Sequence, residues 1–191
     1  YLDSGTITGC RTDYWGGGVC VDVGQFYMTG GTISNCTAPK AANDRGYGGG
    51  VCIKTAGSKF EMSGGVIENC QAYTFGGGVY VEGDFTMSGG VIWKNKLTWT
   101  GANQGKGGGL WIGGTATMTG GYIINNNLSR PSCPAGVGIG KGCTFNMQGG
   151  IIWGNTASDG FIGGVQQDGG AYYNKTGGLV DPAIDLTLEN P

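Results

Sequence analysis

One eight-residue motif, repeated along the chain, constrains the fold more than any other feature of this sequence. It reads aromatic, any residue, Met, any residue, Gly-Gly, any residue, Ile. Its copies occupy residues 26–33, 60–67, 85–92, 116–123 (with Ala for the aromatic) and 145–152. Ile7 ends a shorter sixth copy, so successive Ile positions are 26, 34, 25, 31 and 29 residues apart. A period of this size that varies by several residues indicates fixed strands joined by loops of different length.

A second repeated segment, Gly-Gly-Gly followed by apolar, variable, apolar, precedes the motif. It occurs at 16–21, 48–53, 76–81 and 107–112 and is weaker at 135–139. Its alternation is typical of a strand with one buried face, and 44 glycines argue against helix. One repeat is too short to bury its own apolar face, but stacked repeats can do so. The sequence therefore predicts an all-β, right-handed parallel β-helix (solenoid) of about six rungs of 25–34 residues, with two or three strands per coil.

The composition of the chain limits the kinds of partner that it can bind. Only 13% of the residues are charged and the formal net charge is −2, which excludes a basic nucleic-acid binder and a disordered acidic tail. We expect no membrane insertion by this segment, because no apolar run approaches the ~18 residues of a transmembrane span. We expect residues 1–158 to form the β-helix with a truncated first rung, and residues 159–191 to form a C-terminal rung or capping segment.

Aligning the repeats predicts which side chains face inward. The aromatic, Met and Ile positions should stack as three core columns, and the paired glycines should form a tight corner that needs positive φ. A fourth column follows each Ile by three residues, and we expect it to be a structural ladder in which neighbouring rungs hydrogen-bond. This fourth column consists of Cys10, Cys36, Cys70, Asn95, Asn126 and Asn155.

These strands and turns resemble the adhesin-like β-helix repeats of large microbial surface proteins. The resemblance rests on Gly-Gly-Gly-Val strands, Ile-x-x-Asn turns and the Phe-x-Met-x-Gly-Gly-x-Ile motif, and it covers roughly residues 4–157. The repeats are more loosely similar to those of polymorphic outer-membrane proteins. The resemblance implies a secreted, surface-displayed stalk or passenger region used in attachment or as a rigid spacer.

Stacking also brings cysteines together. Cysteines at the same position in adjacent rungs would have Cα atoms about 4.8 Å apart, which suits a disulfide. The candidates are Cys20 with Cys52, Cys133 with Cys143, and one pair within the column of Cys10, Cys36 and Cys70, most simply Cys36 with Cys70. Seven cysteines leave at least one unpaired within the chain. Disulfides would imply an extracellular setting. We expect no metal site, because the chain has no His and no C-x-x-C pair.

Little in the sequence points to catalysis. Without His there is no Ser-His-Asp or Cys-His chemistry, and the carboxylates are scattered over several columns. One outward column reads Asp22, Lys54, Glu82 across successive rungs, which we interpret as a surface charge ladder. We expect no catalytic residues and no cofactor. The alternative is a polysaccharide lyase or glycosidase with converging carboxylates. A second alternative is a filament subunit that stacks on neighbouring copies through open sheet edges.

The residues on either side of each Ile should point outward, and they become more apolar toward the C-terminus. A contiguous exposed apolar area usually marks a ligand or partner site. We call these residues the apolar stripe: Val91, Trp93, Tyr122, Ile124, Ile151 and Trp153. The alternative is that a loop or residues 160–191 cover this face, since Ile184, Leu186 and Leu188 alternate like a strand.

A second set of aromatics lies where the loops join the Gly-rich strands. These side chains either form platforms for sugar rings or plug the space beneath the loops. The set consists of Tyr14, Trp15, Tyr47, Tyr73 and Phe75. Three Asn-x-Ser/Thr sequences, at Asn35, Asn127 and Asn174, are candidate glycosylation sites. The sequence thus predicts a non-catalytic structural or adhesive module at the cell surface, with a glycan, a protein ligand or neighbouring copies or domains of a longer chain as partners.

Overall fold

The computed structural model describes residues 1–40, 45–101, 105–133 and 135–181. Within these ranges the chain is all-β with no helix, and its strands form four parallel sheets that stack as a solenoid of about six turns. The predicted fold class is confirmed. Each coil has four strands rather than two or three, because a strand of only two residues follows each Ile strand.

Each sheet collects one strand from every coil, and we name the sheets by their buried residues. The Val sheet contains β2 (Val19–Val21), β6 (Val51–Ile53), β10 (Val79–Val81), β14 (Leu110–Ile112), β18 (Val137–Ile139) and β22 (Val165–Gln167). The Met sheet contains β3 (Gln25–Met28), β7 (Lys59–Met62), β11 (Asp84–Met87), β15 (Thr115–Met118), β19 (Thr144–Met147) and β23 (Tyr172–Lys175). A coil passes through these two sheets before it reaches the other two.

The remaining two sheets meet at a sharp turn. The Ile sheet contains β1 (Thr6–Thr8), β4 (Thr32–Ser34), β8 (Val66–Glu68), β12 (Val91–Trp93), β16 (Tyr122–Ile124), β20 (Ile151–Trp153) and β24 (Leu179–Val180). The short sheet contains β5 (Thr37–Ala38), β9 (Gln71–Ala72), β13 (Lys96–Leu97), β17 (Asn127–Leu128) and β21 (Thr156–Ala157). The turn residue between them has positive φ in several rungs, including Asn69, Lys94 and Asn125.

The core consists of the predicted columns. From Ile33 to Ile152 each Ile pairs with the Ile of the next rung, and from Met28 to Met147 each Met pairs with the next Met. These side chains are fully buried, whereas Ile7 in the first rung is half-buried. Aromatic rings stack along the axis, with centroids 5.1 Å apart for Phe26 and Phe60 and 5.1 Å for Phe60 and Phe85. The in-register repeat thus gives every rung the same interior.

The Gly-Gly corner is confirmed as a position of positive φ, and it has a second role. Gly90 has φ +83°, and a Cβ at this position would lie 2.6 Å from Cε of Met62 in the preceding rung. The same relationship holds between Gly121 and Met87, again at 2.6 Å. The second glycine therefore provides both the turn and the space that the methionine column occupies.

The fourth column is the predicted ladder, and its cysteines and asparagines bond alike. Asn95 accepts the backbone N–H of Cys70 at 2.9 Å and donates to the carbonyl of Ile67 at 2.9 Å. The Sγ of Cys70 accepts the backbone N–H of Cys36 and lies 3.8 Å from the carbonyl of Ile33. A thiol thus replaces the amide in the N-terminal rungs.

The described part of the C-terminal segment extends the solenoid. In the Ile sheet, Leu179 pairs with Ile151 of β20, and β22 and β23 extend the Val and Met sheets. These strands form a last rung and do not lie over the outer face of the Ile sheet. The strand predicted around Ile184, Leu186 and Leu188 lies outside the described residues.

Candidate binding surface

The apolar stripe lies on the outer face of the Ile sheet, as its alternation predicts. Its residues form two columns in register, Val91 with Tyr122 and Ile151, and Trp93 with Ile124 and Trp153. The exposed fraction is 47% for Tyr122 and 50% for Trp153, whereas the other four residues are half-buried. Strands β12, β16 and β20 pair in register, so the six side chains form one continuous outer face.

One of the two tryptophans already has a partner. The Nζ of Lys94 lies 4.2 Å from the ring centroid of Trp93, and the left-handed backbone at Lys94 (φ 52°) turns the chain beside that ring. Such a cation–π contact at an exposed site contributes about 0.5–1 kcal/mol. The rings most accessible to a ligand are therefore those of Tyr122 and Trp153.

Polar side chains run along one edge of the stripe, at the turn into the short sheet. We call Lys94, Lys96, Asn125 and Asn127 the polar border. Asn127 donates to the carbonyl of Thr156 at 3.0 Å. Asn125 lies over Gly154, where a Cβ would be 2.4 Å from its Oδ1, so Gly154 leaves room for this amide beside Trp153.

The polar border is positively charged although the chain is not. Residues 91–97, 122–128 and 151–157 contain two lysines and no Asp or Glu, whereas the whole chain has a formal net charge of −2. Two acidic residues adjoin the ends of the stripe. Glu68 pairs with Trp93 from the preceding rung. Asp181 directly follows the residue that pairs with Ile152, and its buried carboxyl accepts the backbone N–H groups of Gly154 and Asn155. Lys94 and Lys96 form no ion pair with any residue that the structure describes. The surface therefore combines aromatic rings, amides and positive charge.

Three of the loop aromatics pack together and do not form free platforms. Trp15 stacks on Tyr47 at 4.5 Å, and Phe75 stacks on Trp111 at 4.6 Å. The three rings cover buried Cys52, Tyr80 and Trp111 on the outer face of the Val sheet. For these residues the structure supports the interpretation as plugs.

The two remaining loop aromatics differ from that group. Tyr73 meets Trp99 edge to face at 5.2 Å, and Tyr14 is 39% exposed. The partners Tyr80, Trp99 and Trp111 were not predicted from the sequence. The outward position of each Val-sheet strand would have identified two of them, since Tyr80 and Trp111 occupy the same column as Cys20 and Cys52.

The charged residues outside the stripe form local pairs. Lys54 pairs with Asp22 at 3.1 Å, as the charge ladder predicts, but Glu82 accepts a hydrogen bond from the hydroxyl of Tyr80. Burial, and then this contact, raise the pKa of Tyr80, which keeps the hydroxyl a donor.

A second pair crosses two rungs. Lys106 forms an ion pair with Asp168, and burial, together with the charge of Arg130, lowers the pKa of Lys106. Between them, the ring of Trp111 lies against Gly138, where a Cβ would be 2.7 Å from the indole. The Lys106–Asp168 ion pair and the indole of Trp111 together cover this part of the outer face of the Val sheet.

The expected disulfides are not present, and the reasons differ. Cys133 packs with Leu97 and Leu128 in a small apolar cluster, whereas Cys143 packs against the main core. The prediction of a Cys133–Cys143 staple is therefore wrong.

The two stacked pairs are also unbonded. Cys36 and Cys70 remain free because their thiols take part in the ladder, with Sγ of Cys36 3.2 Å from the carbonyl of Ser34. Cys20 and Cys52 are in register and their thiols are hydrogen-bonded, but each is free. Pairing at the same position in adjacent rungs is therefore not sufficient to bring the thiols of Cys20 and Cys52 into the geometry of a disulfide.

The three Asn-x-Ser/Thr sites differ in accessibility. Asn35 and Asn174 are exposed, whereas Asn127 is half-buried and bonded to Thr156. Asn174 donates to Oδ1 of Asn146 at 2.9 Å. Glycosylation at these sites stays a prediction.

Within residues 1–40, 45–101, 105–133 and 135–181, no three His, Cys, Asp or Glu side chains form a group that could hold a metal ion. The part of the chain that the structure describes also contains no helix able to cross a membrane.

Comparisons with protein-family models, with curated proteins and with solved structures give no significant match. The class that the fold defines is that of the parallel β-helix repeat proteins. Proteins of this class share a fold and not a function, so the function has to be inferred from the side chains on the surface.

Proposed function

We propose that the chain is a non-catalytic extracellular module that binds glycans through the apolar stripe. It would act as an adhesive or spacer unit of a surface or secreted protein. The resemblance of its repeats to those of microbial surface proteins supports the location and the adhesive role.

The observation that carries this proposal is the pair of half-exposed rings, Tyr122 and Trp153, in adjacent rungs. They lie in neighbouring columns, so a strand spacing of about 4.8 Å and a rise of about 3.3 Å per residue place them about 8 Å apart. Aromatic rings combine a large apolar face with a polar tip. A sugar ring can pack its C–H face on such a ring while its hydroxyls reach the amides of the polar border.

The same surface argues against catalysis on a bound glycan. Glycoside hydrolysis usually requires a pair of carboxylates on either side of the bond. Residues 91–97, 122–128 and 151–157, which form the stripe and its border, contain no carboxylate. A glycan held here would be bound and released unchanged.

A glycan-array screen with Tyr122→Ser and Trp153→Ala tests the proposal. Tyr172→Ser is the matched control, because Tyr172 is 61% exposed on a different sheet. We expect the stripe variants to lose binding, the control to keep it, and the polysaccharide to remain uncleaved. Binding that survives both stripe variants, or release of cleaved product, would refute the proposal.

A further inference from the structure

We infer that the ligand of the apolar stripe is an acidic glycan, a linear polysaccharide that carries carboxylate groups. This inference rests on the proposed function and names the chemistry of its ligand. It comes from the charges beside the stripe and not from the aromatic rings themselves.

The charge beside the stripe complements an acidic ligand. Lys94 and Lys96 are exposed at the turn between the Ile and short sheets, and residues 91–97, 122–128 and 151–157 contain no acid. A cluster of one sign on a chain of opposite net charge attracts ligands of the opposite charge. A carboxylate next to a sugar stacked on the stripe would lie within reach of these ammonium groups.

The amides of the polar border have fixed positions. Asn125, with its left-handed backbone (φ 54°), holds its amide over Gly154 and beside Trp153. Amide groups donate and accept hydrogen bonds in fixed directions, which suits sugar hydroxyls better than the mobile headgroups of a lipid surface. The amides therefore favour a glycan over an anionic membrane as the charged partner.

The spacing of the rungs suits a linear polymer. The stripe continues over three rungs, each about one 4.8 Å strand spacing above the last. This spacing is close to the length that one pyranose adds to an extended chain. A linear polymer lying along the axis can therefore contact Tyr122 and Trp153 in successive rungs at the same time, and the second contact raises affinity by an effective-concentration effect. Two lysines give a low charge density, which suits a carboxylated polymer better than a densely sulfated one.

The test compares polygalacturonate with its fully methyl-esterified form, which keeps the backbone and removes the charge. We expect binding of the acid form that weakens as salt increases, and little binding of the ester. Lys94→Gln and Lys96→Gln should each weaken binding about threefold, as for exposed ion pairs, and Lys141→Gln on another surface should not.

The outcomes separate this inference from the proposed function. Equal binding of acid and ester, lost in Trp153→Ala but unchanged in the lysine variants, would overturn the acidic ligand and leave the glycan site standing. Binding to vesicles that contain anionic lipid, without binding to polygalacturonate, would also overturn it. Binding of any glycan that Trp153→Ala and Tyr122→Ser leave intact would refute the proposed site itself.

Discussion

The side-chain amide of Asn126 donates a hydrogen bond to Oδ1 of Asn155 in the next rung, at 3.0 Å. Asn126 also donates to the carbonyl of Ile92 at 3.0 Å and accepts the backbone N–H of Asn95 at 2.9 Å. The side chain of Asn126 thus satisfies two backbone groups of the preceding coil and bonds a side chain of the next one, all in the same turn column.

We therefore expect Asn126→Ala to destabilise the fold by about 3 kcal/mol, because it leaves several buried polar groups unpaired. Urea denaturation would measure the change. The control is Asn125→Gly, since Asn125 is exposed and has positive φ, which glycine accepts. Asn126→Cys should cost less than Asn126→Ala, because cysteine fills this column at Cys36 and Cys70. Equal costs for Ala and Cys would contradict the view that the thiols replace the amides.

The Gly-Gly corners give a second prediction. Gly90→Ala places a Cβ 2.6 Å from Cε of Met62 at a backbone φ of +83°. Strain and overlap together should cost about 3 kcal/mol in the free energy of unfolding. The control is Gly57→Ala, where a Cβ meets no heavy atom within 4 Å and φ is not positive. A neutral Gly90→Ala would show that the corner does not require glycine.

The interior could be predicted from the sequence because one repeat sets every rung. Phe, Met and Ile recur at fixed offsets within the motif, so a parallel register places each on top of its equivalent. The outward columns of the Ile sheet followed from the same alternation. The exposure of Tyr122 and Trp153 could therefore be expected before any contact was known.

The features that the sequence did not predict lie in the loops and in the shortest strands. Tyr80 and Trp111 are buried because Tyr47 and Phe75 lie over the Val sheet. Tyr47 and Phe75 recur at the same position before Gly-Gly-Gly and pair in register, but the sequence pattern did not show on which sheet their rings would pack. A strand of two residues, such as Lys96–Leu97, is too short to show a period. The positive φ at Lys94 did leave a signal, since the same position elsewhere is glycine or asparagine.

The thiol ladder predicts loss of stability at high pH. Burial raises the pKa of Cys70 from 9.0 to about 12. The hydrogen bond from the backbone N–H of Cys36 lowers this pKa and offsets only part of the effect of burial. An unfolded thiol thus loses its proton before the folded one, so its stabilising contribution is complete below pH 9.0 and is lost as the pH rises toward about 12. This group alone lowers the free energy of unfolding by about 1.4 kcal/mol per pH unit within that window.

Urea denaturation between pH 8 and pH 11 in a reducing buffer would measure this slope. Cys70→Asn is the informative variant, because asparagine fits the ladder and does not titrate. We expect the variant to keep the fold and to show a shallower decline. A slope equal to that of the wild-type chain would mean that Cys70 does not remain protonated in the folded state.

Phe75 distinguishes the two interpretations of the loop aromatics. Its ring lies between those of Tyr47, at 5.9 Å, and Trp111, at 4.6 Å, so it fills space under the loops. We expect Phe75→Ala to lower the free energy of unfolding by about 3 kcal/mol, as for a large aromatic removed from packed surroundings, and to leave glycan binding unchanged. Tyr14→Ala is the control, since Tyr14 is exposed and should change neither property. A stable Phe75→Ala variant that loses glycan binding would instead make the loop aromatics the sugar platform and would transfer the binding site from the Ile sheet to the Val sheet.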